Sequence, residues 1–116
     1  MLDEPVLLVG DRDVLDLCRS YTGSTVPMDV VPVVDVDAAI SGVGRNGIVV
    51  APAMMGAYDC FDVAAILSYR GFRGRFRVMA QDLPKPGILL AEARRSYPDL
   101  DFDLLSADEL RQVTQH

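Results

Sequence analysis

No stretch limits the possible folds of this chain more than Gly47 to Asp62, GIVVAPAMMGAYDCFD. Ile48-Val49-Val50-Ala51 is a short, branched apolar run without polar alternation, the pattern of a strand buried on both faces. Pro52 breaks the run, Gly56 marks a loop, and Asp59 stands where it can cap a new helix. Strand, loop and helix in that order put the residues after Ala51 at the carboxyl end of a central strand, where open α/β sheets keep their ligand sites.

The flanking sequence repeats the same alternation. Val6 to Val9 is an apolar run ended by Gly10, Asp11 sits in a capping position, and Val14, Leu17, Cys18 and Tyr21 mark one face of a helix. Met28 to Val34 reads as a second strand, placed at an edge because Pro27 and Pro32 cannot donate to a ladder. Asp35 is expected to cap a helix through Val36, Ala39, Ile40 and Val43, closed by Gly42 and Gly44. Beyond the central strand come a helix from Asp59 to Tyr69, a strand from Arg75 to Ala80 and a helix opened by Pro86 with Leu89, Leu90, Ala93 and Tyr97 as its stripe. A last strand spans Phe102 to Leu105, and Ser106-Ala107-Asp108-Glu109 forms a capping box for the final helix. Five strands alternating with five helices predict an α/β fold, a five-stranded doubly wound parallel sheet in flavodoxin-like order 2-1-3-4-5 with helices on both faces. The loops after Val9 and Ala51 then line one crevice.

Composition narrows the function classes. A chain of 116 residues fits a single domain spanning 1–116, and with half its residues hydrophobic it is globular. No apolar run approaches the ~20 residues of a membrane span, and the first residues lack the basic start of a signal peptide. The expectation is a soluble, cytoplasmic protein with no membrane partner. A net charge of -6 argues against nucleic-acid binding, which rests on basic side chains meeting phosphates. Arg70, Arg73, Arg75 and Arg77 depart from that average and read as surface arginines flanking a strand, with an acidic partner as the alternative. Cys18 and Cys60 are expected as reduced, buried thiols, and a lone terminal His116 leaves no zinc set and no Ser-His-Asp or Cys-His set.

Gly42-Val43-Gly44-Arg45-Asn46-Gly47 matches GxGxxG, but a dinucleotide loop follows a strand and opens a helix. Here a helix precedes it and a strand follows, so it reads as a helix stop and a turn.

At the crevice the sequence resembles bacterial response-regulator receiver domains. Gly47-Ile48-Val49-Val50 with Met54-Met55-Gly56-Ala57-Tyr58-Asp59-Cys60-Phe61-Asp62 is similar to their third strand and its loop, and Val6-Leu7-Leu8-Val9-Gly10-Asp11 to their first strand and acidic turn. The resemblance implies a phosphoacceptor aspartate at the end of the third strand, which falls on Pro52. It implies a magnesium-holding acidic pair on Gly10 and Asp11, a hydroxyl residue near Ala80 or Gln81 and a lysine near Leu105 or Ser106. Proline has no nucleophile, one carboxylate remains, and neither the hydroxyl residue nor the lysine is matched. Independently of the resemblance, magnesium held with phosphate oxygens needs one or two carboxylates, and the phosphoryl oxygens need a nearby cation. Asp11 therefore reads as a helix cap.

Cys60 in a first helical turn would have its thiol acidified by the helix dipole, with Asp59 and Asp62 opposing. The expectation is a non-enzymatic, cofactor-free, metal-free pseudo-receiver that works in two-component signal transduction through protein contacts. Its partner is expected to be another protein, an output domain or a second copy forming a homodimer. By resemblance the contact face is the one carrying Leu89, Glu92, Arg95, Asp103, Glu109 and Arg111, with Arg73 and Arg75 as a second surface. A small-ligand module using the crevice is the alternative.

Overall fold

The computed structural model describes residues 5–23, 25–44, 47–80 and 83–113. The elements are β1 (Val6–Val9), α1 (Arg12–Thr22), β2 (Asp29–Val31), α2 (Val36–Ala39), β3 (Ile48–Pro52), β4 (Met54–Met55), β5 (Tyr58–Asp59), α3 (Cys60–Tyr69), β6 (Arg75–Met79), α4 (Pro86–Ser96), β7 (Asp101–Leu104) and α5 (Ala107–Val113). Five of the strands form one parallel sheet in the order β2-β1-β3-β6-β7, and β4 and β5 form a separate antiparallel hairpin. With the hairpin set aside, the sheet order is the expected 2-1-3-4-5. No helix among the described residues is long and apolar enough to cross a membrane.

The pleat divides the strand side chains between two cores. Leu7, Val9, Val49, Ala51, Phe76, Val78 and Phe102 face one, closed by Val36 and Ile40 near α2, Val63 and Leu67 of α3 and Ala93 of α4. Val6, Leu8, Ile48, Val50 and Met79 face the other, closed by Cys18 of α1 and Leu110 of α5. Strand β3 is buried on both faces, as its unbroken apolar run requires. Full burial of Ile48, Val49 and Val50 is worth about 1.5–3 kcal/mol each, more than a typical exposed ion pair. Phe76 meets Phe102 edge to face at 5.3 Å in the first core.

The caps explain most helix boundaries. Asp11 accepts a hydrogen bond from the Val14 N–H at 3.1 Å, and Gly23, with φ of 67°, closes α1 in the left-handed conformation. Asp59 accepts from the Phe61 and Asp62 N–H groups while Asp62 accepts from the Asp59 N–H, a reciprocal capping box. At α5 the Glu109 N–H donates to Ser106 Oγ at 3.2 Å.

Three local expectations need correction. The second strand is only Asp29–Val31, because Pro32 ends it and the chain turns into a 3₁₀ segment at Val33–Asp35. The Asp35 side chain makes no capping hydrogen bond. The helix expected through Val43 shrinks to Val36–Ala39 followed by a 3₁₀ turn at Ile40–Gly42, in a segment rich in β-branched residues and glycine.

A fourth correction concerns the arginine run. Arg75, Arg77 and Met79 alternate onto the α5 side of the sheet, and Arg77 is buried rather than a surface residue. Its Nε donates to both Glu109 oxygens at 2.9 Å, and Nη1 donates to the Asp101 carbonyl at 2.7 Å. Arg75 Nη1 reaches the same Glu109 carboxylate at 3.1 Å. One half of this sheet face is thus apolar and the other half ionic.

Both sheet edges are blunted. On β7 the Leu105 N–H points to β6 and bonds Val78 O, so by alternation Phe102 and Leu104 direct their N–H groups outward. Those donors are taken by Leu100 O and by the Asp103 carboxylate. The opposite edge, β2, is three residues long and bracketed by Pro27 and Pro32.

Removing one member of a buried ion pair strands the other. Glu109→Ala, which takes the carboxylate from the buried Arg77 guanidinium, is expected to lower the unfolding free energy by about 3–5 kcal/mol. Arg70→Ala, which breaks the exposed pair with Asp37, should cost under about 1 kcal/mol. Urea unfolding of both variants checks the difference, and equal small losses would show that the buried pair does not hold α5.

Candidate functional site

The carboxyl ends of β1 and β3 part because of Pro52. Ile48 N–H donates to Pro5 O, so every second residue of β3 faces β1, and position 52 is one of them. A proline there has no donor, and the pairing of β1 with β3 ends at Leu8 opposite Val50. On the other side the ladder continues, with Ala53 N–H bonding Met79 O at 3.1 Å. The β4–β5 hairpin rises from this gap and returns to it where Cys60 N–H bonds Ala53 O.

The hairpin stands between two cavities. One of about 280 Å³ lies toward β1 and β2, lined by Gly10, Asp11, Val14, Pro32, Val33, Val34 and Tyr58. The other, about 120 Å³, lies toward β6 and is lined by Leu17, Pro52, Ala53, Met54, Met79, Ala80 and Leu83. In the antiparallel register Met54 opposes Asp59 and Met55 opposes Tyr58, so the hairpin presents Met54 and Tyr58 to opposite sides.

These cavities divide the residues expected to form one degenerate pocket. Gly10 and Asp11 line the first, and Pro52 and Ala80 the second. Leu105 is buried in the core beneath α1 and α5, its carbonyl accepting from Tyr21 Oη at 3.2 Å. Ser106 is exposed and caps α5. Gln81 lies outside the described residues.

Gly10 has φ of 146°, and a Cβ built on it would sit 2.7 Å from Val14 Cγ2. A carboxylate side chain at this position meets both a strained backbone and a helix that is already packed. Asp11 is an exposed cap, and among the described residues no three His, Cys, Asp or Glu side chains converge as a metal group. The magnesium that the receiver resemblance implies therefore does not fit the donor set: Gly10 and Pro52 supply no carboxylate, and one Asp11 oxygen serves the helix.

Both thiols are free and fully buried. Burial, reinforced by the Asp59 and Asp62 carboxylates, pushes the Cys60 thiol from its ordinary 9.0 up to about 12. Burial likewise raises Cys18 to about 11 against the lowering effect of Arg19. Desolvation and the two carboxylates thus outweigh the first-turn helix position at Cys60.

The residues assigned to contact surfaces occupy different settings. On α4, Glu92 and Arg95 pair at 2.9 Å on an exposed face, while Leu89 packs partly against the core. Asp103 faces Arg94 at 3.7 Å and accepts the Leu104 N–H. Glu109 and Arg75 are half-buried and bind each other. Arg73 is exposed at the amino end of the sheet, lining cavities of about 380 and 210 Å³ beside Phe72. Arg111 lies outside the residues whose side chains are described. At that same end Gly47 packs under Val43 and its carbonyl accepts the Arg75 N–H, so the last glycine of the GxGxxG pattern serves strand packing. Arg45 and Asn46 lie outside the described residues.

The hairpin and the burial of Arg77 were both missed by pattern reading. Gly56, with φ of 70° between two two-residue β segments, is the hairpin's sequence signal. Arginines at positions i and i+2 of a near-central strand are the signal for a facing acid. No protein-family model, curated protein or solved structure matches this chain.

A thiol protonated to about 12 is a poor nucleophile, so native Cys60 should resist iodoacetamide at pH 8 and react once unfolded. The folded pKa exceeds the unfolded one, so this group's contribution to stability is full below pH 9.0 and is lost between there and about 12. Peptide mapping after alkylation, and unfolding curves across that range, check both statements.

Proposed function

We propose that this chain is a receiver-like module of flavodoxin type that carries out no phosphoryl transfer and serves bacterial signal transduction in the cytoplasm as a protein-interaction element. The observation that carries the reading is Gly10. At the point where receivers need a metal-binding carboxylate, the backbone is left-handed and Val14 fills the space a side chain would take. Pro52 at the end of β3 supports it, since no carboxylate is presented to the crevice there. The sheet order agrees with the resemblance.

Function then falls to surfaces. The face built from α4, β7 and α5 is our choice for contact with a second copy or an output domain, centred on Leu89, Glu92, Arg95 and Asp103. The exposed side of α4 adds Ile88, an apolar side chain that is 66% exposed. Glu109 and Arg75 support this face from beneath through their ion pair.

The small-ligand alternative draws on the cavity of about 280 Å³. Ligand sites combine apolar walls with a few convergent polar groups. The polar side chains here are Asp11, which caps α1, and Tyr58, which is 42% exposed. That sparse set favours the interaction reading.

Treatment with acetyl phosphate and Mg²⁺ is expected to leave the chain's intact mass without a phosphoryl gain, and an aspartyl adduct would overturn the reading. Gly10→Asp should not create one, and it should destabilise the fold by about 1–3 kcal/mol from backbone strain and overpacking. Sedimentation across a concentration series should show self-association weakened by Ile88→Glu. A strict monomer with no partner affected by this face would remove its assignment.

A further inference from the structure

The two cavities beside the β4–β5 hairpin are bordered by most of the exposed large apolar side chains among the described residues. Of the large hydrophobic side chains exposed among the described residues, Val34 at 72%, Met54 at 66%, Tyr58 and Leu17 all border them. They come from α1, the loop after β2 and the hairpin, so chain segments remote in sequence bring exposed apolar side chains to both sides of the hairpin, Leu17 and Met54 on one and Val34 and Tyr58 on the other. Soluble surfaces scatter exposed apolar residues singly; a convergent set around concavities marks a place that is covered.

Charge indicates what covers it. Residues 1–69 carry ten carboxylates and three arginines, a net of -7, whereas residues 70–116 carry a net of +1. Asp11 lines the larger cavity, Asp13 adjoins Val14 in α1 and Asp35 follows Val34. All three are exposed, and Asp13 and Asp35 pair with no cation among the described residues. An apolar cavity with Asp11 in its lining, and with exposed Asp13 and Asp35 next in the chain to two other lining residues, complements a segment that is apolar on one side and cationic on the other.

We infer that this crevice docks a cationic amphipathic helix of a partner protein, whose apolar side chains enter the cavities on either side of the hairpin while its Lys or Arg residues face Asp11, Asp13 and Asp35. The helix is favoured over a strand because both sheet edges are blunted. This surface is separate from the α4, β7 and α5 face, so the inference stands or falls independently of that assignment.

The test uses the full 116-residue chain and two labelled peptides of about 18 residues, five helical turns. One has a Leu/Lys amphipathic pattern, and the other is the same with Glu for Lys. Fluorescence anisotropy should show saturable binding of the Leu/Lys peptide, at least roughly tenfold tighter than the Leu/Glu peptide and weakened by salt. Because Val34, Met54 and Tyr58 are exposed, Val34→Ala, Met54→Ala and Tyr58→Ala should leave the fold intact by circular dichroism. They should each reduce affinity several-fold, while Tyr69→Ala and Ile88→Ala do not. Amide shift changes should fall on residues 10–17, 32–35 and 54–59. Absence of saturable binding, equal binding of both peptides, or perturbations mapping elsewhere would overturn the inference. So would a small metabolite that saturates the larger cavity and leaves peptide binding unchanged.

Discussion

The carboxylate of Glu109 sits between Arg77 and Arg75, and this contact decides how half of the sheet is covered. Helix α5 has seven residues, too few to be stable alone. It is held by Leu110 in the apolar half of the face and by Glu109 in the ionic half. Once α5 is seated, it packs against α1 and encloses Leu8, Ile48 and Val50, whose other neighbours belong to the central strands. The burial that makes β3 a two-sided core strand is therefore completed by a charge interaction on the neighbouring strand β6, where Arg77 stands opposite Val50. Arg77 is satisfied throughout, by Glu109 and by the Phe76 and Asp101 carbonyls, which is what lets a guanidinium sit in a core at acceptable cost.

Much of this architecture can be read from the chain itself. Apolar runs at Val6–Val9 and Ile48–Pro52 are short, rich in branched side chains and bounded by Gly10 and Pro52, which marks them as strands buried on both faces, and Asp11 and Asp59 cap the helices that follow them. The sequence is silent or misleading where tertiary context overrides local preference. Met28 to Val34 looks like one long strand because its residues favour extended structure, but Pro32 stops the ladder and the valines beyond it turn into a 3₁₀ segment. Arg75-Phe76-Arg77 looks like a surface edge because arginine is rarely buried, and only the position of Glu109, 32 residues from Arg77, reveals otherwise.

The candidate site shows the same division. Pro52 and Gly10 were legible as missing carboxylates, but the reason Gly10 must lack a side chain lies in Val14, one helical turn away, and in a backbone angle invisible to pattern reading. The hairpin was less legible because two-residue strands carry almost no periodicity. Its presence turns one expected crevice into two cavities and sends Met54 and Tyr58 to opposite sides. The residues grouped by analogy as a single pocket are consequently distributed among two cavities, a core and a helix cap.

The blunted sheet edges reach beyond solubility. With the outward donors of β7 already bonded to Leu100 O and the Asp103 carboxylate, and with β2 only three residues long and bracketed by prolines, a chain lying alongside this sheet finds few backbone donors to pair with. Backbone pairing is indifferent to sequence, and removing it leaves side-chain chemistry as the basis for recognition. A protein built this way trades indiscriminate adhesion for selectivity, so its associations can be rewired by a few surface substitutions without disturbing the fold beneath.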